Sequence, residues 1–241
     1  MSTAAPDSKP RPLVDVLVSI VVPSLILMRL SGEDRLGPTL ALLLALAFPV
    51  GYGLHELLRH GRRNVMALLG VVSVLLTGGI GLMKIDARWL AVKEAAVPLA
   101  IGAGLLVAHR LGYPVVRKLL FSPSLMNVER IEAALDERGT RAPFERRLDQ
   151  ANYLSAGTFV FSSIMNWTLA RMIVTSESGT REFNEELGRM TLVSYPAIAI
   201  PSMLMMVGIF WFVWRTVARL TGLGFDEIVA GGDRDEAPSG K

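Results

Sequence analysis

The sequence has no cysteine. Disulfides, thiolate nucleophiles and cysteine-ligated metals are thereby excluded. It has only three histidines, His55, His60 and His109, each near the inner end of an expected span. A metal site would need several of them to converge with carboxylates. Glu56 beside His55 adds little, because adjacent helical residues point apart. No phosphate loop, nucleophile elbow, HExxH or dinucleotide fingerprint is present. No catalytic, cofactor-binding or metal-ligating residue is assigned, no cofactor is expected, and the chain is read as a non-enzyme. The formal net charge is only +3, which gives nucleic-acid binding no support. The first apolar run ends in LMRLSGEDR with no small-residue cleavage site after it, so it reads as an uncleaved span rather than a signal peptide.

Long apolar runs are what the sequence does have. Of 241 residues, 51% are hydrophobic and 20% charged. The apolar residues gather into six stretches of roughly twenty, the length that crosses the ~30 Å hydrocarbon layer as helix. Each must be helical, since lipid offers no partner for free backbone groups. The expected fold is an all-α membrane protein of six spans, at about 12–28, 38–56, 64–83, 89–109, 152–174 and 189–214. Short tails at 1–11 and 221–241 read as disordered. A polar insert, 111–150, contains one amphipathic helix, NVERIEAALDERG, with Asn127 as N-cap and Gly139 as stop. Val128, Ile131 and Leu135 share one face of it, suited to the membrane surface or to neighbouring span ends. Trp89, Trp167, Trp211 and Trp214 lie mostly near span ends, as in an aromatic belt.

Lysine and arginine set the orientation. With both termini cytoplasmic, only Arg29, Arg35, Lys84, Arg88, Lys93, Arg171, Arg181 and Arg189 of the 25 basic residues lie at outer segments or span ends. The expected location is the bacterial inner membrane.

Ionisable groups within a span are functional candidates by default. Lys93 and Glu94 lie about 6–7 Å into the fourth span at 1.5 Å per residue. A lysine there can snorkel to the headgroups, but glutamate has a shorter stem. Arg171 and Asn166 lie in the fifth span. The four form a candidate outer polar site, with Glu94 paired to Arg171 or Lys93 and Asn166 adding a hydrogen bond. The competing expectation is that they only tether helices. Asp15, His109 and Asn152 form a second candidate cluster on the cytoplasmic side. Pro23, Pro98 and Pro196 are expected to break helices around an intramembrane site. The small-residue run Thr77-Gly78-Gly79-Ile80-Gly81 permits close helix approach.

The stretch DARWLAVKEAAVPLAIGAGLLVAHRLGYPVVRKLL resembles the intracellular septation protein A family of bacterial inner-membrane proteins. An aromatic residue precedes an embedded lysine, here Lys93. A small-residue span follows, with an exit at Pro114, Arg117 and Leu120. Asp15 and Asn166 fall in stretches that also look similar. The amphipathic insert and the acidic outer link depart from that pattern. LVDVLVSIVVPSLILMRLSGEDRLGPTLALLLALAFPVGYG and FNEELGRMTLVSYPAIAIPSM resemble a widespread family of uncharacterised six-span bacterial membrane proteins, some loosely labelled transporters. The resemblance implies an envelope or septation-type protein acting through contacts with other membrane proteins. Its expected partners are the lipid bilayer and the envelope or division machinery, with a homo-oligomer as a further option. The alternative reading is a small-molecule or ion transporter with its site around Glu94, Arg171 and Asn166.

Overall fold

The computed structural model describes residues 17–60 and 65–229, with side chains described for 17, 20–55 and 72–229. Among these residues the chain is helical, with no strand and one isolated bridge between Met126 and Val229. A π-helical turn, Leu17–Val21, leads into α1 (Val22–Leu30). Then follow α2 (Gly37–His60), α3 (Val65–Leu82), α4 (Arg88–Arg110), α5 (Val115–Leu120), α6 (Val128–Glu137), α7 (Arg141–Ile173), α8 (Arg181–Thr221) and α9 (Phe225–Ile228).

Three of these helices have stretches long and apolar enough to cross a membrane: Gly37–His55, Arg88–Arg110 and Arg181–Thr221. Their outer faces are rich in exposed large apolar side chains, such as Leu40, Leu99, Ile200 and Leu204. A surface of that kind suits lipid rather than water. α7 is long but less apolar. It begins in the charged run Glu145-Arg146-Arg147 and carries buried Ser155, Thr158 and Ser163.

The prolines act differently from one another. Pro23 lies in the first turn of α1, directly after the π-helical turn, so the helical ladder changes register there. Pro98 does not break α4, and α8 runs for 41 residues through both Pro196 and Pro201. Each proline removes one backbone bond. In apolar surroundings no water competes for the remaining ladder, so the helix persists.

The chain divides into two compact units, Met1–Ala95 with Met165–Ala197, and Ala96–Ile164 with Ile198–Lys241. The first has a core of Leu42, Ala45, Ile80, Leu90, Phe183 and Leu187. Small residues bring its helices together. A Cβ on Gly188 would lie 2.8 Å from the backbone oxygen of Ser24, and one on Gly81 would meet Leu42 and Phe183. Buried Asn184 donates to the Pro38 carbonyl (2.7 Å) and the Ser31 hydroxyl (3.1 Å), fixing the start of α8 to the α1–α2 turn.

In the second unit α6 is the amphipathic helix. The Asn127 side chain accepts from Arg130 N, and Gly139 follows the helix at φ +63°. Ile131 and Leu135 are fully buried with Phe144, Val213, Val217 and Ile228, and Val128 packs against them. Burying each such side chain contributes about 1.5–3 kcal/mol. The apolar face therefore meets the ends of α7 and α8, the second of the two settings its pattern allowed. Within 221–241, expected as a tail, residues 225–228 form α9 and Ile228 is buried.

Candidate functional site

The turn between α3 and α4 aims the candidate residues. Lys84 takes φ +52°, and Asp86 accepts from the Arg88 backbone N–H (2.8 Å) and guanidinium (2.8–3.0 Å). Those bonds, with a weaker contribution from the Arg171 charge, hold the Asp86 carboxyl below its ordinary range. Leu90 and Ala91 bury the first turn of α4 against the core. Lys93 and Glu94 follow in the next turn.

The Lys93 side chain turns inward. Its side chain is only 9% exposed. Its ammonium donates to Thr77 Oγ1 (2.7 Å) and Ser73 Oγ (3.2 Å), with the Ser73 carbonyl at 3.4 Å. The Glu94 carboxylate pairs with it at 2.6 Å. Three ammonium hydrogens thus meet four oxygens, and the charge is satisfied within the first unit. Ser73 and Thr77 stand one turn apart on α3, so both hydroxyls face α4. Thr77 Oγ1 itself donates to the Ser73 carbonyl (3.1 Å).

This pair lies on the wall of a cavity of about 210 Å³ within the first unit. Pro23, Ser24 and Leu27 of α1, Ala45, Leu46 and Pro49 of α2, and Leu187 and Thr191 of α8 complete the lining with Ser73, Val74 and Thr77. Two prolines matter electrostatically. Pro98 has no N–H for the Glu94 carbonyl, and Pro49 has none for that of Ala45. The Ser24 hydroxyl is buried without a hydrogen-bond partner. The Lys93 ammonium at this wall is already engaged.

Of the two partners expected for Glu94, the structure brings Lys93 to it and not Arg171. Lys93 and Glu94 pair with each other, across adjacent positions that an ideal helix would splay apart. Arg171 is exposed and acts on Asp86, not on the cavity. Asn166 is half-buried on α7 and is not among the cavity residues. Of the second cluster, Asp15 lies outside the described residues. His109 sits 3.5 Å from Asp149 and packs edge-on against Tyr153. Asn152 is buried, and neither of its amide atoms has a partner, so no hydrogen bond joins it to His109. Among the described residues no three His, Asp or Glu side chains gather as metal ligands.

Sequence reasoning missed Ser24, Ser73, Thr77 and Thr191 as cavity residues. The Ser73–Thr77 spacing in an otherwise apolar helix was the available signal. No family model, no curated protein and no solved structure matches the chain.

Proposed function

We propose that the chain is a transporter of a small cation or protonated amine, with Glu94 as the binding carboxylate and Lys93 as its built-in competitor. The carrying observation is the Lys93–Glu94 pair on the cavity wall. Lys93 has no spare donor for an anion. Glu94 has a second carboxylate oxygen, and the buried Ser24 hydroxyl, which has no hydrogen-bond partner, is a further acceptor. A cation arriving at Glu94 displaces the Lys93 ammonium, which remains held by Thr77 and Ser73. The exchange alternates two arrangements of one charge pair and never strands an unpaired carboxylate in the membrane. Pro23 and Pro49, each short of one backbone donor, lie on the cavity wall, a feature that intramembrane binding sites share.

The envelope-scaffold reading rests on sequence resemblance. Lys93 and two of the glycines it would use are engaged inside the first unit, Gly78 at Leu46 and Gly81 at Leu42, while Gly79 faces open space. Six passes, an inner-membrane location and cytoplasmic termini belong to the same proposal and are supported by the lysine and arginine distribution. A periplasmic signal from a reporter fused to either terminus would refute that orientation.

The test is flux in proteoliposomes carrying an interior pH-sensitive dye, challenged with outward gradients of Na+, K+ and a small alkylammonium ion. Wild type is expected to pass at least one of them faster than protein-free vesicles, and Glu94→Gln to fall to the protein-free rate while eluting as the same species in detergent. Equal flux through wild type and Glu94→Gln, or none through either, refutes the assignment.

A further inference from the structure

The second unit carries a different kind of site. A groove of about 740 Å³ runs between α7 and α8, lined by Tyr153, Leu154, Gly157, Gly208, Ile209 and Phe212 among others. Gly157 and Gly208 have nothing within 4 Å of where a Cβ would stand, so the groove is open at both. At Phe212 it meets a cleft of about 410 Å³ that holds Arg147, Arg215 and Arg219. No acidic residue lines that cleft, and none of the three arginines is in an ion pair among the described residues.

We infer that this groove and cleft hold one anionic phospholipid, an acyl chain lying along α7 and α8 and the phosphate among the three guanidinium groups. Charge complementarity supports this occupant, because an arginine fork matches a phosphate. The aromatic faces support it too. Arg215 stacks over Trp211 at 5.0 Å and Arg147 over Phe212 at 5.9 Å. Stacking fixes a guanidinium while leaving in-plane N–H groups to donate. Length agrees as well. From Arg147 to Gly157, and from Arg215 to Met205, the helices rise about 15 Å, roughly half the hydrocarbon thickness. The groove thus spans one leaflet, with tryptophan and arginine at headgroup level.

The test is native mass spectrometry of the full-length protein in mild detergent, after exchange with mixed micelles of phosphatidylglycerol or phosphatidylcholine. Wild type is expected to retain one phosphatidylglycerol per chain, with about tenfold preference over phosphatidylcholine, a difference of about 1.4 kcal/mol. The triple change Arg147→Gln, Arg215→Gln and Arg219→Gln should abolish the preference, and the corresponding triple Arg→Lys change should keep part of it. Gly157→Leu with Gly208→Leu should reduce retention of both lipids. These side chains are exposed, so folding is expected to survive, and helical circular dichroism checks it. An unchanged preference in the arginine-to-glutamine variant overturns the inference. So does unchanged retention in the leucine variant, displacement of the lipid by millimolar inorganic phosphate, or a dimer mass that replaces bound lipid.

Discussion

Thr77 and Lys93 are joined by a 2.7 Å hydrogen bond in which the threonine hydroxyl accepts from the ammonium while donating to the Ser73 carbonyl. The bond polarises the hydroxyl in one direction and gives the lysine a resting place independent of Glu94. Removing each partner should then have unequal effects. Lys93→Met leaves Glu94 facing a polar wall without its cation and should lower stability in detergent by about 1.5–3 kcal/mol, the range for hydrogen bonds to charged groups. Lys93→Met with Glu94→Gln should recover part of that loss, because no carboxylate is then left uncompensated. A double-mutant cycle by thermal unfolding measures the coupling. Strictly additive losses would mean that the pair contributes nothing as a pair.

Close approach of α1 to α8 gives a second prediction. Alanine at Gly188 would set its Cβ against the Ser24 carbonyl and Met28. The first of these is backbone and cannot rotate away, so overpacking should cost about 1–3 kcal/mol. Gly79→Ala, with nothing within 4 Å, should be neutral or stabilising by up to about 1 kcal/mol from helix propensity. Comparing the two melting temperatures separates packing from propensity. An equal response at both sites would remove the argument for close contact at Gly188.

The sequence was most legible where a local rule decided the outcome. Asn127, the Ile131–Leu135 face and Gly139 specify α6 through capping, periodicity and a left-handed stop, all within a dozen residues. The place of Lys93 and Glu94 in the first turns of α4 was also readable. The destination of Lys93 was not. Snorkelling or turning inward depends on whether another helix brings oxygens within reach, and Ser73 and Thr77 lie 16–20 residues away. The choice between Lys93 and Arg171 as the partner of Glu94 stayed open for the same reason, since similar positions along two helices do not place side chains on facing surfaces. The expected breaks at Pro98 and Pro196 do not occur, because a helix-breaking rule calibrated in water overstates the loss in an apolar setting.

Asn184 should behave as a structural clasp. Its amide donates twice, to Pro38 and Ser31, at a fully buried position. Asn184→Ala strands the Pro38 carbonyl and should cost about 1–3 kcal/mol. Asn184→Asp should cost more, because a carboxylate cannot donate to that carbonyl and brings charge into the core. If thermal unfolding shows the aspartate variant as stable as the alanine variant, the donor role is wrong.

The α6–α7 junction offers a pH-dependent contact outside the spans. The Arg141 guanidinium binds Asp136 at 2.7 and 3.0 Å and lowers its pKa below the ordinary carboxylate value. A lowered native pKa means the unfolded chain binds the proton more readily. The contribution is therefore present above the unfolded value and is lost as pH falls through the native one. The melting temperature of Asp136→Asn should lie slightly below wild type at pH 7, and the gap should close below about pH 4. A gap that stays constant from pH 7 to pH 3 would show that the contact does not depend on the aspartate charge.

α9 should hold α6 in place. Ile228 is buried in the second core, its carbonyl accepts from Asn127 N (2.8 Å), and Arg130 pairs with Glu227. Ending the chain at Leu223 removes all three contacts while leaving α8 intact. It also uncovers Met126 and Ile131, which are otherwise fully buried. Segments with few buried contacts open locally at low cost, so the truncated protein should be cleaved faster by trypsin at Arg130 and Arg138. Restoring residues 224–229 with Ile228→Asp should not restore protection, because the aspartate cannot fill the apolar site. Restoring them with Glu227→Gln should restore most of it, since a partly exposed ion pair contributes about 0–1 kcal/mol. Equal protection by the two variants would mean that the segment shields α6 by covering it rather than through the Ile228 anchor.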